Sequence, residues 1–534
     1  MTVLPIVERE LRVAARRRST YWIRVVLALG VMGIGGWVLL AAGSRTPPRV
    51  GAGMFVAMSI CAFGYCLLAG LWTTADCLSR EKREGTLGLL FLTDLKGYDI
   101  VLGKLAATSL NVFCGLLAMV PVMTLPLLAG SVAVEEVGRV ALVALNSLFV
   151  SLAAGLFASA VCRDERRAMG LCFSLIASLT LLLPLIGGLV ALRIRAFPPP
   201  IFLVPSPAYA CFMAFDETYR QFPSRENFFL ESVLAVHAIA WTLLGLSCLI
   251  APRSWQERAA HPRAVRWRAW WQLLVFASPD RRRRFRARLL EANPFYWLAA
   301  RDRSKPVLVW VFLAISAGLW AWGWLAHDRS WLDESTYILT GLALNSVLKV
   351  WLAGEAGWRF SIDRHSGALE LLLSTPLRVT EILRGQVAAL FRQFAAPAAL
   401  VIGVELLFLG TRPGDESWVL VWLAGIVMFV ADLVTLSWVG MWLGVRHRHH
   451  SRALGATLGL VLVLPWVIFA LFVTYLAVAS TARPSGWDED AFIVAWLVLG
   501  LVNDAVLLGW AHTRLRDRFR VVATERFTPA KGTG

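Results

Sequence analysis

An all-α polytopic membrane protein is the fold class that three observations predict: the apolar content, its division into blocks of bilayer-crossing length, and the placement of the basic residues. Of 534 residues, 57% are hydrophobic and 17% charged, and the mean hydropathy is +0.62. Soluble domains sit nearer half apolar and a quarter charged. Disordered chains are poor in aliphatic and aromatic residues and are excluded. A soluble enzyme with one large core is excluded too, because the apolar residues come in runs of roughly 20, the length that crosses a hydrocarbon layer. Lipid offers no water to unpaired backbone groups, so each run is predicted to close as a helix.

Twelve such blocks follow in order: 22–43, 51–74, 101–129, 138–161, 168–191 and 231–251, then 306–326, 335–354, 384–409, 418–444, 452–478 and 491–511. We number them spans 1 to 12. The 24 residues opening the chain hold Glu8, Glu10 and six arginines. That head is long for a signal peptide, so span 1 is predicted to be retained. With a cytoplasmic N-terminus, and with Arg24, Lys104, Arg139, Arg384 and Arg452 at span ends counted with the adjoining segments, 41 of the 53 basic residues fall inside and 10 outside, while Lys349 and Arg392 fall within spans. The bias obeys the positive-inside rule and places both termini in the cytoplasm. The outside loops are acidic by contrast, as at Glu135-Glu136, Asp333-Glu334, Asp415-Glu416 and Asp488-Glu489-Asp490.

The net charge of +17 would suggest nucleic acid on a soluble chain. Here the basic stretches flank spans, so the charge is assigned to topology and to attraction toward anionic lipid, about 1 kcal/mol per residue near the surface. The densest run, Arg281 to Arg288, follows the aromatic stretch Trp267 to Trp271, a pattern expected of an interfacial segment. All eight cysteines precede residue 250, mostly in apolar stretches without repeated short spacing. They are expected to be small buried residues rather than disulfide partners or zinc ligands.

The chain also carries an internal duplication. The segment Arg80 to Leu95 aligns with Ile362 to Leu377 at a constant offset of 282, pairing Glu81 with Asp363, Lys82 with Arg364, Gly85 with Gly367, Leu87 with Leu369, Leu90 with Leu372 and Leu95 with Leu377. Ile100 and Gly103 pair with Ile382 and Gly385 at the same offset. Two weaker matches flank it: Leu4-Pro5 resembles Asn293-Pro294, and Arg167 to Gly170 resembles Arg452 to Gly455. Six crossings return the chain to its starting side, so the halves are predicted to be parallel six-helix repeats. The expected organisation is 1–251 for the first half, 252–305 for a basic cytoplasmic linker and the start of the second half, and 306–534 for the second half with its tail. Within each repeat an apolar stripe recurs at helical spacing, Leu87, Leu90, Phe91 and Leu95 in one and Leu369, Leu372, Leu373 and Leu377 in the other. A short amphipathic helix there would lie on lipid or dock into a partner groove. Its presence at equivalent positions of both repeats favours a symmetric partner.

At these residues the sequence resembles the permease of an ABC-2 type ABC transporter. That family carries a Glu-rich approach, a Gly-Thr-Leu-Glu-Leu-Leu-Leu stretch, then Thr-Pro-Leu with a basic residue. The first copy supplies Glu84-Gly85-Thr86-Leu87, Leu89-Leu90, Thr93, Leu95-Lys96 and Gly103-Lys104. The second supplies Gly367, Leu369-Glu370-Leu371-Leu372-Leu373, Thr375-Pro376-Leu377-Arg378 and Ile382-Leu383-Arg384-Gly385. Gly88, Asp94 and Gln386 depart from the pattern. The resemblance implies a coupling helix in each half, carried by Glu81, Glu84, Gly85, Thr86, Leu87, Leu90, Phe91 and Leu95, and by Asp363, Gly367, Leu369, Glu370, Leu372, Leu373, Pro376 and Leu377. It implies a separate cytoplasmic ABC ATPase, acting as a dimer and holding the ATP and magnesium, and a location in the inner membrane. It also implies export, and re-entrant structure outside before the sixth span, for which 192–230 is the candidate in the first half and a short loop near 479–490 in the second.

No phosphate-binding loop occurs; the nearest approach, Gly97 to Gly103-Lys104-Leu105, has the wrong spacing and lacks the magnesium-binding hydroxyl. The chain is therefore expected to hold no cofactor and no catalytic site. His447, His449 and His450 lack nearby acidic or cysteine partners and point to a solvated basic loop rather than a metal site. Within spans lie Lys349, Arg392, Glu405, Asp432 and Asp504, with Asn111, Asn146, Asn345 and Asn503; intramembrane charges are costly and often functional. An ion-coupled secondary transporter is the main alternative, but the loop between spans 2 and 3 carries the leucine stripe instead of a major-facilitator motif. A non-transporting scaffold is the third reading, and it has no need of paired input helices.

Overall fold

The structure, a computed structural model, describes residues 18–41, 47–92, 95–128, 130–194, 198–221, 227–254, 279–300, 304–327, 331–447, 450–480 and 489–525. The described residues form helices, turns and loops and no strand. The chain divides into two compact units, Met1–Ala259 and Ala260–Gly534, split inside the predicted linker. The aromatic stretch Trp267 to Trp271 lies outside the described residues. The arginine run after it is helical, within Pro279–Ala292, and Arg283, Arg284, Arg286 and Arg288 are exposed.

Eleven helices among the described residues are long and apolar enough to cross a membrane. Span 1 is also helical, Arg18–Ala41, but its stretch Arg24–Gly36 is a shorter apolar helix. In the first unit span 2 is Pro47–Thr73, span 3 Gly97–Met123, span 4 Val134–Val161 and span 6 Phe229–Ser254. In the second, span 7 is Ser304–His327, span 8 Glu334–His365, span 9 Val379–Leu409, span 10 Glu416–Arg446 and span 12 Glu489–Thr524. Span 8 has 32 residues and span 12 has 36. At 1.5 Å per residue they run to about 48 and 54 Å, against a hydrocarbon layer of about 30 Å. Both therefore overshoot the sequence-derived spans at their C-terminal ends, reaching His365 and Thr524.

Spans 5 and 11 each contain a π-helical turn, Ser178–Leu182 and Gly459–Val463. Proline explains both. Pro184 and Pro465 lack an N–H and crowd the carbonyl four residues back, so the residue before each proline bonds five residues back instead, Leu183 to Ser178 and Leu464 to Gly459. The Thr180 carbonyl that Pro184 leaves without a donor accepts the Ser206 hydroxyl at 3.3 Å.

Span 4 is the central helix of the first unit, packed by spans 2 and 6, and span 10 holds the same place between spans 8 and 12. Small residues permit the close crossings. A Cβ on Gly155 would lie 2.6 Å from the Gly70 carbonyl, and one on Gly444 would lie 2.4 Å from the Gly357 carbonyl. The first unit adds hydroxyl bonds to its crossing: Ser151 accepts from the Gly70 N–H at 2.9 Å and donates to the Leu67 carbonyl at 2.6 Å.

The segment 192–230 folds in part as three short helices, Pro200–Leu203, Pro207–Ala214 and Asp216–Gln221. Tyr209, Met213 and Ala214 are buried in one core with Val140 and Val143 of span 4 and Val233 of span 6. Arg139 holds this cap through an ion pair to Asp216 and a cation–π contact 4.3 Å from the Tyr219 ring. The corresponding residues 481–488 of the second unit lie outside the described residues. All eight cysteines are free thiols, with Cys66, Cys172 and Cys211 buried; burial pushes the Cys211 thiol up to about 12.

Candidate functional site

Both copies of the repeated segment have the same build. In the first unit the helix Cys77–Glu84 ends at Gly85 with φ 72°, and the short helix Thr86–Phe91 follows. In the second, span 8 ends at His365, two residues before Gly367, whose φ is 75°, and the short helix Ala368–Leu373 follows. Left-handed backbone at these two corners is strained for any side chain, which is the physical reason for glycine at both. The next helix starts alike too. The Asp99 carboxylate accepts the Lys96 N–H at 2.9 Å, and the Glu381 carboxylate accepts the Arg378 N–H at 2.7 Å, each satisfying an orphan donor at a helix start.

The leucine stripe faces inward. Leu87 is buried in a core with Ile100 of span 3, Leu156 of span 4 and Leu244 of span 6, and Leu90, Phe91 and Leu95 pack against it. Leu369 is buried with Ile382, Leu443 and Phe519, and Leu372, Leu373 and Leu377 pack alongside. The stripe therefore seats each short helix on its own unit and is covered. What stays exposed is Glu84, Gly85, Thr86, Leu89 and Leu92 in one copy, and Glu370, Leu371, Thr375 and Pro376 in the other. Leu89 is 64% exposed and Leu371 is 72% exposed, and they are the same position at the 282 offset. Helical periodicity alone pointed to the covered face; the shared offset of these two leucines is the signal that marks the open one.

Behind each short helix a basic side chain caps the central span. Lys82 donates to the carbonyls of Ser159, at 3.0 Å, and Ala160, at the end of span 4. Arg364 donates to the carbonyls of Val445 and, at 3.2 Å, Arg446 at the end of span 10, and to that of Glu525 at 2.9 Å, just past span 12. The last carbonyls of a helix lack partners and carry its negative dipole end, so cations belong there. In the first unit the Ser159 hydroxyl also accepts from the N–H groups of Leu78 and Ser79, both at 2.8 Å, fixing the start of Cys77–Glu84. The bend before each short helix is thus tied to the innermost span.

The copies differ where the sequence departs from the pattern. Glu81 pairs with Lys104 of span 3 at 2.7 Å. Gln386 stands in the lysine's place in the second unit, and Asp363, the counterpart of Glu81, pairs with Arg359 one turn back on its own helix at 2.8 Å. Lys104→Met is expected to lower the melting temperature of the purified protein, because it strands a partly buried carboxylate. Adding Glu81→Gln should recover most of the loss, and failure of the double variant to recover would rule out the ion pair as the cause.

Among the intramembrane groups, Asn146 is a packing residue, donating to the Val233 carbonyl at 2.8 Å and facing His237 at 3.1 Å. Asn503 donates to the Leu460 carbonyl at 3.4 Å beside the π turn of span 11. Arg392 lies over the Phe285 ring at 4.4 Å. Lys349 pairs with Asp432 at 2.6 Å, and Glu405 and Asp504 lie in the same unit. His450 packs edge-on against Trp358 with centroids 4.8 Å apart. Burial and the neighbouring Arg446 and Arg452 hold the His447 imidazole below its ordinary value. His449 lies outside the described residues.

A family model described as ABC-2 family transporter protein matches residues 4–248, nearly the whole first unit. Comparison of the chain with curated proteins gives no match.

Proposed function

Residues 4–248 belong to the ABC-2 transporter family, and from that premise we propose that the chain is a fused two-half permease of an ATP-driven exporter. The family supports a transport subunit of multi-pass membrane type; the remaining steps are our reading. The short helices Thr86–Phe91 and Ala368–Leu373 receive the two subunits of a separate ATPase dimer on the cytoplasmic face of the inner membrane. Leu89 and Leu371 are the apolar contacts. Closure of the ATPase then pushes each short helix, and Lys82 and Arg364 pass the displacement to spans 4 and 10. The observation that carries this reading is the pair of equivalent exposed leucines, each on a helix seated rigidly against its own unit. Single exposed leucines are ordinary, but two at one offset on duplicated helices form a repeated docking feature.

Docking is tested by Leu89→Asp combined with Leu371→Asp. Both side chains are largely in solvent, so the fold is expected to survive, with membrane level and melting temperature unchanged. Co-purification of the ATPase should fall by tenfold or more. Unchanged co-purification would overturn the assignment of these helices.

A further inference from the structure

Within the second unit, spans 8 to 12 line a cavity of about 460 Å³. By the charge-derived topology its lining runs from the outer end of the spans, at Ile338, Glu405 and Phe492, to their middle, at Lys349, Asp432 and Gly500. The wall is aromatic, with Trp422, Trp466, Trp496, Phe469 and Phe492 around it. Five polar side chains interrupt that wall, the neutral Asn345 and Ser346 and the charged Lys349, Glu405 and Asp432. Lys349 is already committed to Asp432. Glu405 is 1% exposed and its Oε2 has no hydrogen-bond partner among the described residues, while Asp432 is 3% exposed with Oδ1 likewise without one. One lysine thus faces two lining carboxylates, and Asp504 adjoins Asp432 from behind. A buried carboxylate oxygen left without a donor is costly in a low-dielectric site.

The first unit shows that this chemistry is not part of the duplicated scaffold. At the 282 offset of spans 2 and 8, Lys349 corresponds to Leu67, and at the 285 offset that relates Arg167 to Arg452, Asp432 corresponds to Ser147. The same 285 offset pairs Val140 and Val143 with Gly425 and Met428. The valines share a core with Tyr209 and Met213 of the outer cap, whereas Gly425 and Met428 line the cavity. The second unit has therefore replaced a packed apolar core by an aromatic chamber with an excess of carboxylate.

We propose that this chamber is a binding site for a lipophilic organic cation, its charge against Glu405 and its apolar body against the tryptophans, where cation–π attraction adds to burial. The assignment rests on the transporter reading and names the substrate class that reading leaves open. Such a cation adds positive charge where one lysine faces two carboxylates, and it gives the unpartnered Glu405 Oε2 a counter-charge as it binds.

The test uses the full-length permease in phosphatidylcholine nanodiscs without ATPase, with radiolabelled tetraphenylphosphonium as probe and empty nanodiscs as the partition background. Saturable binding is expected, and Glu405→Gln should weaken it at least tenfold, about 1.4 kcal/mol, with the melting temperature reporting that the variant is folded. Tetraphenylborate, equal in shape and opposite in charge, should not displace the probe from the wild-type protein. That arm needs no variant. Binding no greater than in empty nanodiscs, displacement by the borate, or equal affinity in a folded Glu405→Gln protein would each overturn the proposal. None of these results bears on ATPase docking at Leu89 and Leu371, so the two readings fail separately.

Discussion

Lys82→Met combined with Arg364→Met is expected to leave the ATPase bound and to abolish the response of the spans to ATP. Both cations lie behind the proposed docking leucines, against the ends of spans 4 and 10. Each holds the last carbonyls of a central span, and each substitution keeps an apolar stem of similar length while removing the donor. Leaving buried carbonyls without a donor costs about 1–3 kcal/mol per site. Coupling free energies between distant sites are themselves about 1–3 kcal/mol, so the lost linkage is as large as the signal it carries. The readout is a cysteine placed at the exposed outer-loop residue Thr411 in an otherwise cysteine-free permease. In the parent its labelling by a membrane-impermeant maleimide should change with ATP; in the double variant that change should vanish while co-purification persists. A preserved ATP response would show that the displacement travels another way.

Eleven of the twelve expected spans and the repeated corner are legible in the sequence because each rests on local or periodic information: apolar run length and one repeated offset. The αL corners at Gly85 and Gly367 belong to the same class, since glycine at both copies signals a backbone need. The orientation of the stripe was not legible. Periodicity groups Leu87, Leu90 and Phe91 on one face but does not say whether that face meets a partner or the protein's own helix ends. The caps escaped for a related reason. Lys82 and Arg364 align at 282, but the span ends they hold align at 285, so no single offset brings donor and acceptor together. The apolar run of span 8 stops at 354, but the helix continues to His365 on polar residues, which puts Arg359 and Asp363 one turn apart. The cavity draws on five spans, and no linear pattern gathers residues so far apart.

Gly444→Leu is expected to be the most damaging single change in the second unit. Even the first added carbon would lie 2.4 Å from the Gly357 carbonyl oxygen and 2.6 Å from its Cα. Both are backbone atoms, so relief requires moving a helix rather than a side chain. Overpacking costs about 1–3 kcal/mol and occasionally more, and here leucine adds three carbons beyond the first. A unit of this size loses about 2–4 °C in melting temperature per kcal/mol. A fall of about 6 °C or more is therefore expected in thermal denaturation of the purified permease. Gly354→Ala is the matched control on span 8, because nothing lies within 4 Å of its added Cβ; it should leave stability level or raise it by up to about 1 kcal/mol. The comparison bears on mechanism as well as stability. Arg364 can move span 10 with span 8 only while the two backbones are held in contact, and the glycines set that contact. A Gly444→Leu protein that melts with the parent would mean that spans 8 and 10 separate at no cost, and a push at Gly367 would then have no rigid element to act on.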